Sequence, residues 1–251
     1  MTEAKAQMPV TLEAALRLDC HADALDILIR FHDREIDQAL IESLHTHDIP
    51  ADLPDLFFSE AAQVAAQGLR DALNALGPAP DEQRIGALAA EYADIFLTHS
   101  YRASPNGSVW LTEDHLERQM PMFEVREWYE HYGISVPNWR IRADDHIVHE
   151  LQFLVHLLRA ATESTLLDAG RFLDVHVLPW IPEFAKKSAA YTTEPLYAAL
   201  MALTSAALEE LRCDLEEITG KERVVRLLEP PQAERQPEEP QAYVPGISES
   251  W

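Results

Sequence analysis

Asp145, His146, His149 and Glu150 stand almost side by side, with His156 shortly after. Carboxylates and imidazoles at that density suit two kinds of chemistry. A carboxylate can grip a guanidinium through paired, charge-assisted hydrogen bonds. Imidazoles three or four positions apart on one helix can share a metal. The order His146-Ile147-Val148-His149-Glu150 matches none of the zinc-protease motifs. No second helix carries the carboxylate–histidine pattern that would complete a di-iron bundle. A metal-dependent enzyme built on His146, His149 and Glu150 is therefore the alternative reading rather than the leading one. Nucleophilic hydrolysis is weaker still, because the chain has no Gly-x-Ser-x-Gly elbow. Gly107 stands alone between Gly86 and Gly133, so a glycine-rich phosphate loop is missing too.

These residues need a scaffold, and the apolar periodicity supplies helices nearly throughout. Thr11 is placed to cap a first helix carrying Leu12, Leu16, Leu25, Leu28 and Ile29, and Asp33 a second with Ile36, Leu40, Ile41 and Leu44. A third runs from about Ser59 to Gly77-Pro78. Asp81 opens the next, with Ile85, Leu88, Tyr92, Ile95 and Phe96 on one stripe. A loop is expected from Thr98 to Thr112, then a helix whose start Pro121 marks or kinks. Asp144 reads as the N-cap of a helix facing Ile147, Leu151, Leu154 and Leu158 inward. Pro179-Trp180-Ile181-Pro182 is a rigid corner, and Pro195 and Gly220 bound the last helix. On this helix, Asp145 and His146 occupy the first turn, where the dipole favours a carboxylate. Glu150, four residues after His146, shares its face and is placed to orient the imidazole.

The expected fold is all-α, one domain over 9–228 with about nine or ten helices and no strand. From Glu229 the chain turns rich in Pro, Glu and Gln, a composition that cannot offset its own ordering entropy, so 229–251 is expected to be disordered. That tail holds five Glu and one Arg, so most of the formal charge of −23 belongs to the body. Such acidity repels phosphate backbones and anionic headgroups and attracts basic partners, which argues against nucleic acid. Nothing approaches the roughly 18 apolar residues of a membrane span, so membrane insertion is not expected. Cys20 and Cys213 make neither a disulfide framework nor a zinc site, as suits a reducing cytoplasm. Acids interrupt the N-terminus, so it reads as no secretory signal.

Four stretches in order resemble the TorD/DmsD-like family of redox-enzyme maturation chaperones. Tyr92-Ala93-Asp94-Ile95-Phe96 is similar to its aromatic-x-x-Leu-Phe segment, and Pro105-Asn106-Gly107-Ser108-Val109-Trp110-Leu111 to the loop of its DmsD-like members. Asp145-His146 with Glu150 is similar to the core of its Glu-Pro-x-Asp-His-x-x-x-Glu motif. His176 through Trp180 to Phe184 follows its His-x-x-x-Trp-x-x-x-Phe stretch. Arg142 and Ala143 depart from the usual Glu and Pro, and Asn106 from a common aromatic.

The resemblance implies a non-enzymatic cytoplasmic chaperone without a cofactor, either monomer or domain-swapped dimer. Its partner would be the twin-arginine signal peptide, and the catalytic subunit, of a molybdenum-cofactor oxidoreductase. Tyr92, Ile95, Phe96, Pro105 and Trp110 would line an apolar groove, with Asp145 and His146 at its polar end. Pro179 and Trp180 would be structural. Each of these residues also has a plainer use: an Asp at a helix start is often a cap, and aromatics at i,i+4 are often core. An acidic helical adaptor with an unrelated partner is the remaining alternative.

Overall fold

A computed structural model describes residues 11–98 and 103–226. The expected tail from 229 onward, and the outer ends of the expected 9–228 domain, lie outside these residues. Local signals set most boundaries. Thr11 Oγ1 accepts from the Ala14 amide to open α1 (Leu12–Asp33), and Ser59 and Asp81 likewise cap α4 (Glu60–Leu76) and α5 (Glu82–Tyr92). Between them lie α2 (Gln38–Thr46) and the short α3 (Ile49–Asp52). After them come α6 (Ser108–Leu111), α7 (Met120–His131), α8 (Ile147–Ala160), α9 (Glu163–Phe172), α10 (Ile181–Tyr191) and α11 (Pro195–Thr219). Pro121 and Pro195 sit in first turns, where a missing N–H is harmless, and Gly220 ends α11 at φ +65°.

Two caps differ from expectation. Asp37, not Asp33, accepts from the Leu40 amide to cap α2, which leaves Asp33 to pair with Arg142 at 2.5 Å. At α8 the cap is His146, whose Nδ1 accepts from the Val148 amide. Asp144 and Asp145 therefore precede the helix instead of lying in its first turn. The expected 98–112 loop contains α6, a single turn.

The core sits between α1, α8, α4, α10 and α11, with α11 running through its centre. Ile147, Leu151, Leu154 and Leu158 on α8 are all buried, so the helical stripe read from the sequence faces inward. Burying such a side chain stabilises the fold by about 1.5–3 kcal/mol. Among the described residues there is no strand, only one isolated antiparallel bridge between Asn106 and His146. Helices α5 and α9 both end in a wider π turn, Ala93–Leu97 and Leu173–Val177, closed by Thr98 N–H to Ala93 O and Leu178 N–H to Leu173 O. Those turns carry Ile95 and Phe96 in one case and His176 in the other.

Candidate functional site

The four motif stretches meet in space. Gly107 N–H donates to Asp145 O at 2.9 Å and Ile147 N–H to Pro105 O at 2.9 Å, which ties the loop to the start of α8. Asp145 Oδ2 then accepts from the Ser108 amide at 2.6 Å and from the Ser108 hydroxyl. This carboxylate satisfies the first free amide of α6 from across the fold and so steadies that turn. Trp180 Nε1 donates to Glu150 Oε2 at 3.2 Å, and a Cβ on Gly107 would come within 3.1 Å of that same nitrogen. Only glycine lets the loop lie this close to the indole. Phe184 joins Trp180 to the rest, with ring centroids 6.4 Å from both Phe96 and Trp110. We call this constellation the node.

The node is sealed. Asp145 is 0% exposed, Glu150 1%, His146 6% and Trp180 0%. Burial pushes the Glu150 carboxyl well above its usual range, and the Asp145 charge pushes it further, against the Trp180 hydrogen bond. Asp145 is also raised, by burial first, with both Ser108 hydrogen bonds opposing. Asn106 Oδ1, Asp145 Oδ1 and Glu150 Oε1 have no hydrogen-bond partner among the described residues.

Several sequence expectations change here. Tyr92, Ile95, Phe96 and Pro105 do not line an open groove; they are buried, with Tyr92 Oη donating to His32 O at 3.3 Å. Trp110 is half-buried and donates from Nε1 to Ser104 O. Glu150 holds the Trp180 indole, the buried pivot of the corner, while Pro179 is exposed. The carboxylate that grips a guanidinium is the neighbouring Asp144, which takes Arg126 at 2.8 and 3.2 Å. The proposed metal ligands on α8 are also engaged: His146 Nδ1 caps the helix, and His149 Nδ1 lies 2.9 Å from Ala143 O.

An open cavity lies elsewhere, between α10, α11, the start of α4 and Arg17 of α1, with a volume of about 720 Å³. Its floor is α11. One i,i+4 row runs Ala202, Ala206, Glu210, Asp214 and the adjacent row Ser205, Glu209, Cys213, so small residues give way to acids along one direction. Ala185 and Ala189 of α10 wall one side, and Phe58, 42% exposed, stands at the acidic end. Glu210 accepts from the Phe58 and Ser59 amides at 3.1 and 2.7 Å, anchoring the N-terminus of α4. Asp214 takes the Arg17 guanidinium in a two-point grip and His21 Nε2 at 2.7 Å. His21, Glu210 and Asp214 are the grouping among the described residues whose ligand atoms lie within 4.8 Å of one another. With Arg17 supplying the positive charge and Glu210 committed to backbone amides, those groups fit a structural network better than a metal centre. Sequence reading missed this groove, though the small-to-acid row on α11 was its signal.

The all-helical fold and the motif node together define a class. The chain belongs to the family described as nitrate reductase delta subunit, whose model matches residues 58–186, just over half of its length. Within that class it is similar to the chaperone protein TorD of Vibrio vulnificus (strain YJ016), 27% identical over 182 residues that cover 69% of this chain and 84% of the relative. The chaperone protein TorD of Vibrio cholerae serotype O1 (strain ATCC 39541 / Classical Ogawa 395 / O395) is 28% identical over 194 residues, 74% of this chain and 87% of that one. The protein is thus a TorD-like chaperone rather than an enzyme. No helix among the described residues is long and apolar enough to cross a membrane.

Proposed function

We propose that this protein is a cytoplasmic chaperone for a molybdopterin-dependent oxidoreductase and holds the twin-arginine signal peptide of that client in the α11 groove. The supporting observation is the groove itself, an open cavity with alanine walls whose acidic end carries Asp214, a carboxylate already forked onto the guanidinium of Arg17. A signal peptide presents basic residues beside an apolar stretch, and the cavity offers an acidic end beside an apolar floor. The formal charge of −23 speeds encounter with such a peptide and makes that rate salt-dependent. Holding the peptide would delay export until the cofactor is loaded, and the chaperone would also contact the catalytic subunit.

A fluorescein-labelled peptide with paired arginines ahead of an alanine–leucine stretch tests this by anisotropy. Wild type is expected to bind it, and Ala206→Trp, which fills the groove floor, to lose binding while keeping its fold by circular dichroism. Undiminished binding by a folded Ala206→Trp protein would sink the groove reading.

A second reading places the peptide at the node, on Tyr92, Ile95, Phe96, Pro105, Trp110, Asp145 and His146. The three buried acceptor oxygens without partners favour it, because a guanidinium brings five donors. It requires the node to open. Asp145→Asn would then lower peptide affinity even where the groove is intact, whereas the groove reading expects Asp145→Asn to alter stability alone.

A further inference from the structure

Arg17 occupies the acidic end of the groove in the way a ligand would. Its Nε donates to Asp214 Oδ2 at 3.0 Å, Nη2 to Asp214 Oδ1, and Nη1 to Glu217 at 3.3 Å. The Cζ of the same guanidinium lies over the Phe58 ring, 5.2 Å from its centre. A fork on a carboxylate plus an aromatic plate is a complete recognition geometry for an arginine. Asp214 is 4% exposed and so is held rigidly, while the Arg17 side chain is 24% exposed and reachable from the cavity.

The start of the element carrying Arg17 has little apolar anchorage. The buried residues of α1 begin at Leu18, and Leu12 and Leu16 are 88% and 62% exposed. Ahead of Leu18 only Ala14 and Ala15 are half-buried among the apolar residues described, so the guanidinium contacts with Asp214, Glu217 and Phe58 are the main ties of the first turns of α1 to the body. Other arginine clamps include Arg126 on Asp144, Arg142 on Asp33 and Arg212 on Asp174, none of which lines the cavity, and Arg223 on the cavity acid Glu209, which among the described residues has no aromatic plate beside it.

We propose that Asp214, with Glu217 and Phe58, is a guanidinium-binding site that the chain closes on itself with Arg17, and that an arginine of the bound peptide enters by displacing it. Resting on the groove reading above, this adds its regulation: the empty chaperone competes with its own ligand. An internal competitor lowers apparent affinity by the fraction of molecules in which it is seated. Arginines that cannot reach Asp214 and the apolar stretch together gain too little to evict it. Weak basic peptides would be rejected on that account.

The labelled paired-arginine peptide and a paired-lysine version are titrated against wild type, Arg17→Ala, Arg17→Gln and Arg17→Gln/Asp214→Asn. Arg17→Gln retains most of the stem over Phe58, so it guards against an Arg17→Ala protein that folds poorly. The expected result is roughly tenfold tighter binding of the arginine peptide by both single variants. The gain should shrink for the lysine peptide and vanish in the double variant. An equal gain for lysine and arginine peptides would mean simple removal of a positive charge, and would overturn the inference. So would unchanged arginine-peptide affinity in both variants while Ala206→Trp still blocks binding, an outcome that spares the groove reading. Binding that ignores Ala206→Trp in every background removes the groove reading and this inference together.

Discussion

The node around Asp145 and the groove around Asp214 are made of the same materials, carboxylates beside aromatic rings, and put them to opposite uses. In the node, Asp145, Glu150 and Trp180 are sealed from solvent and hold one another and the α6 turn in place. In the groove, the Asp214 carboxylate is just as firmly seated, but its cationic partner is a side chain a quarter exposed, at the rim of an open cavity. A charge with no path to solvent can only be structural in this conformation, since a ligand would have to open the fold to reach it. A charge whose partner borders open space is exchangeable. The type of residue suggests binding chemistry; the exposure of its current partner decides whether that chemistry is available.

The comparison breaks most readily at the indole. Trp180→Ala removes the largest fully buried side chain among the described residues and leaves the Glu150 carboxyl without its indole donor. It is expected to cost about 3–5 kcal/mol by urea denaturation, the range for emptying a large core site. Gly107→Ala at the same contact adds a methyl 3.1 Å from Trp180 Nε1 and is expected to cost roughly 1–3 kcal/mol, through overpacking rather than a cavity. If either variant melts like wild type, the node is not the structural lock described.

Why the node was legible and the groove was not follows from how each is built. Node residues are distinctive types at fixed spacing, so Asp145-His146 with Glu150, and Trp180 with Phe184, stand out in the sequence. What the spacing did not convey was burial: Asp145 looked like the first turn of α8, and only the cap at His146 places it one residue outside, facing Ser108. Both Asp144 and Asp145 satisfy the same local pattern, and only the fold decides which meets Arg126. Helix ends were readable wherever a cap acts locally, as at Thr11, Ser59, Asp81 and Gly220. Asp33 failed as a cap because a distant Arg142 claims it. The groove is built largely from alanines on three helices, and an alanine stripe looks the same whether it packs against a neighbour or faces open space.

Acid and base shift the node in a direction that can be worked out. Glu150 holds its proton in the folded chain well above 4.5, the value it has when free. Folding therefore binds a proton that the unfolded chain releases, so this contribution is full below about 4.5 and is lost as pH rises through the raised folded value. His32 and His176 run the other way. Burial holds both down to about 3 from 6.5, so stability falls as pH drops from 6.5 toward 3. Glu150→Gln, whose amide oxygen can still accept from Trp180, is expected to flatten the alkaline-side loss and leave the acid limb unchanged. Melting curves across pH check it, and an unaltered alkaline limb would mean that Glu150 is ionised in the folded protein.

The smallest effect on stability sharpens the comparison from the groove side. Cys213 is exposed on the groove floor, whereas Cys20 is half-buried and its thiol is pushed up, first by burial and then by the Asp23 and Asp19 charges. The thiolate is the reacting form, so N-ethylmaleimide should label Cys213 well before Cys20. Labelling Cys213 should scarcely move the melting temperature, because an exposed side chain on the cavity floor is being extended into open space. The paired-arginine peptide, if it lies along Ala202, Ala206 and Asp214, must cover that sulfur. Saturating peptide should therefore slow Cys213 labelling severalfold and leave Cys20 untouched. A labelling rate indifferent to bound peptide would move the peptide off α11, and the sealed node, with the unpartnered oxygens of Asn106, Asp145 and Glu150, would become the place to look for it.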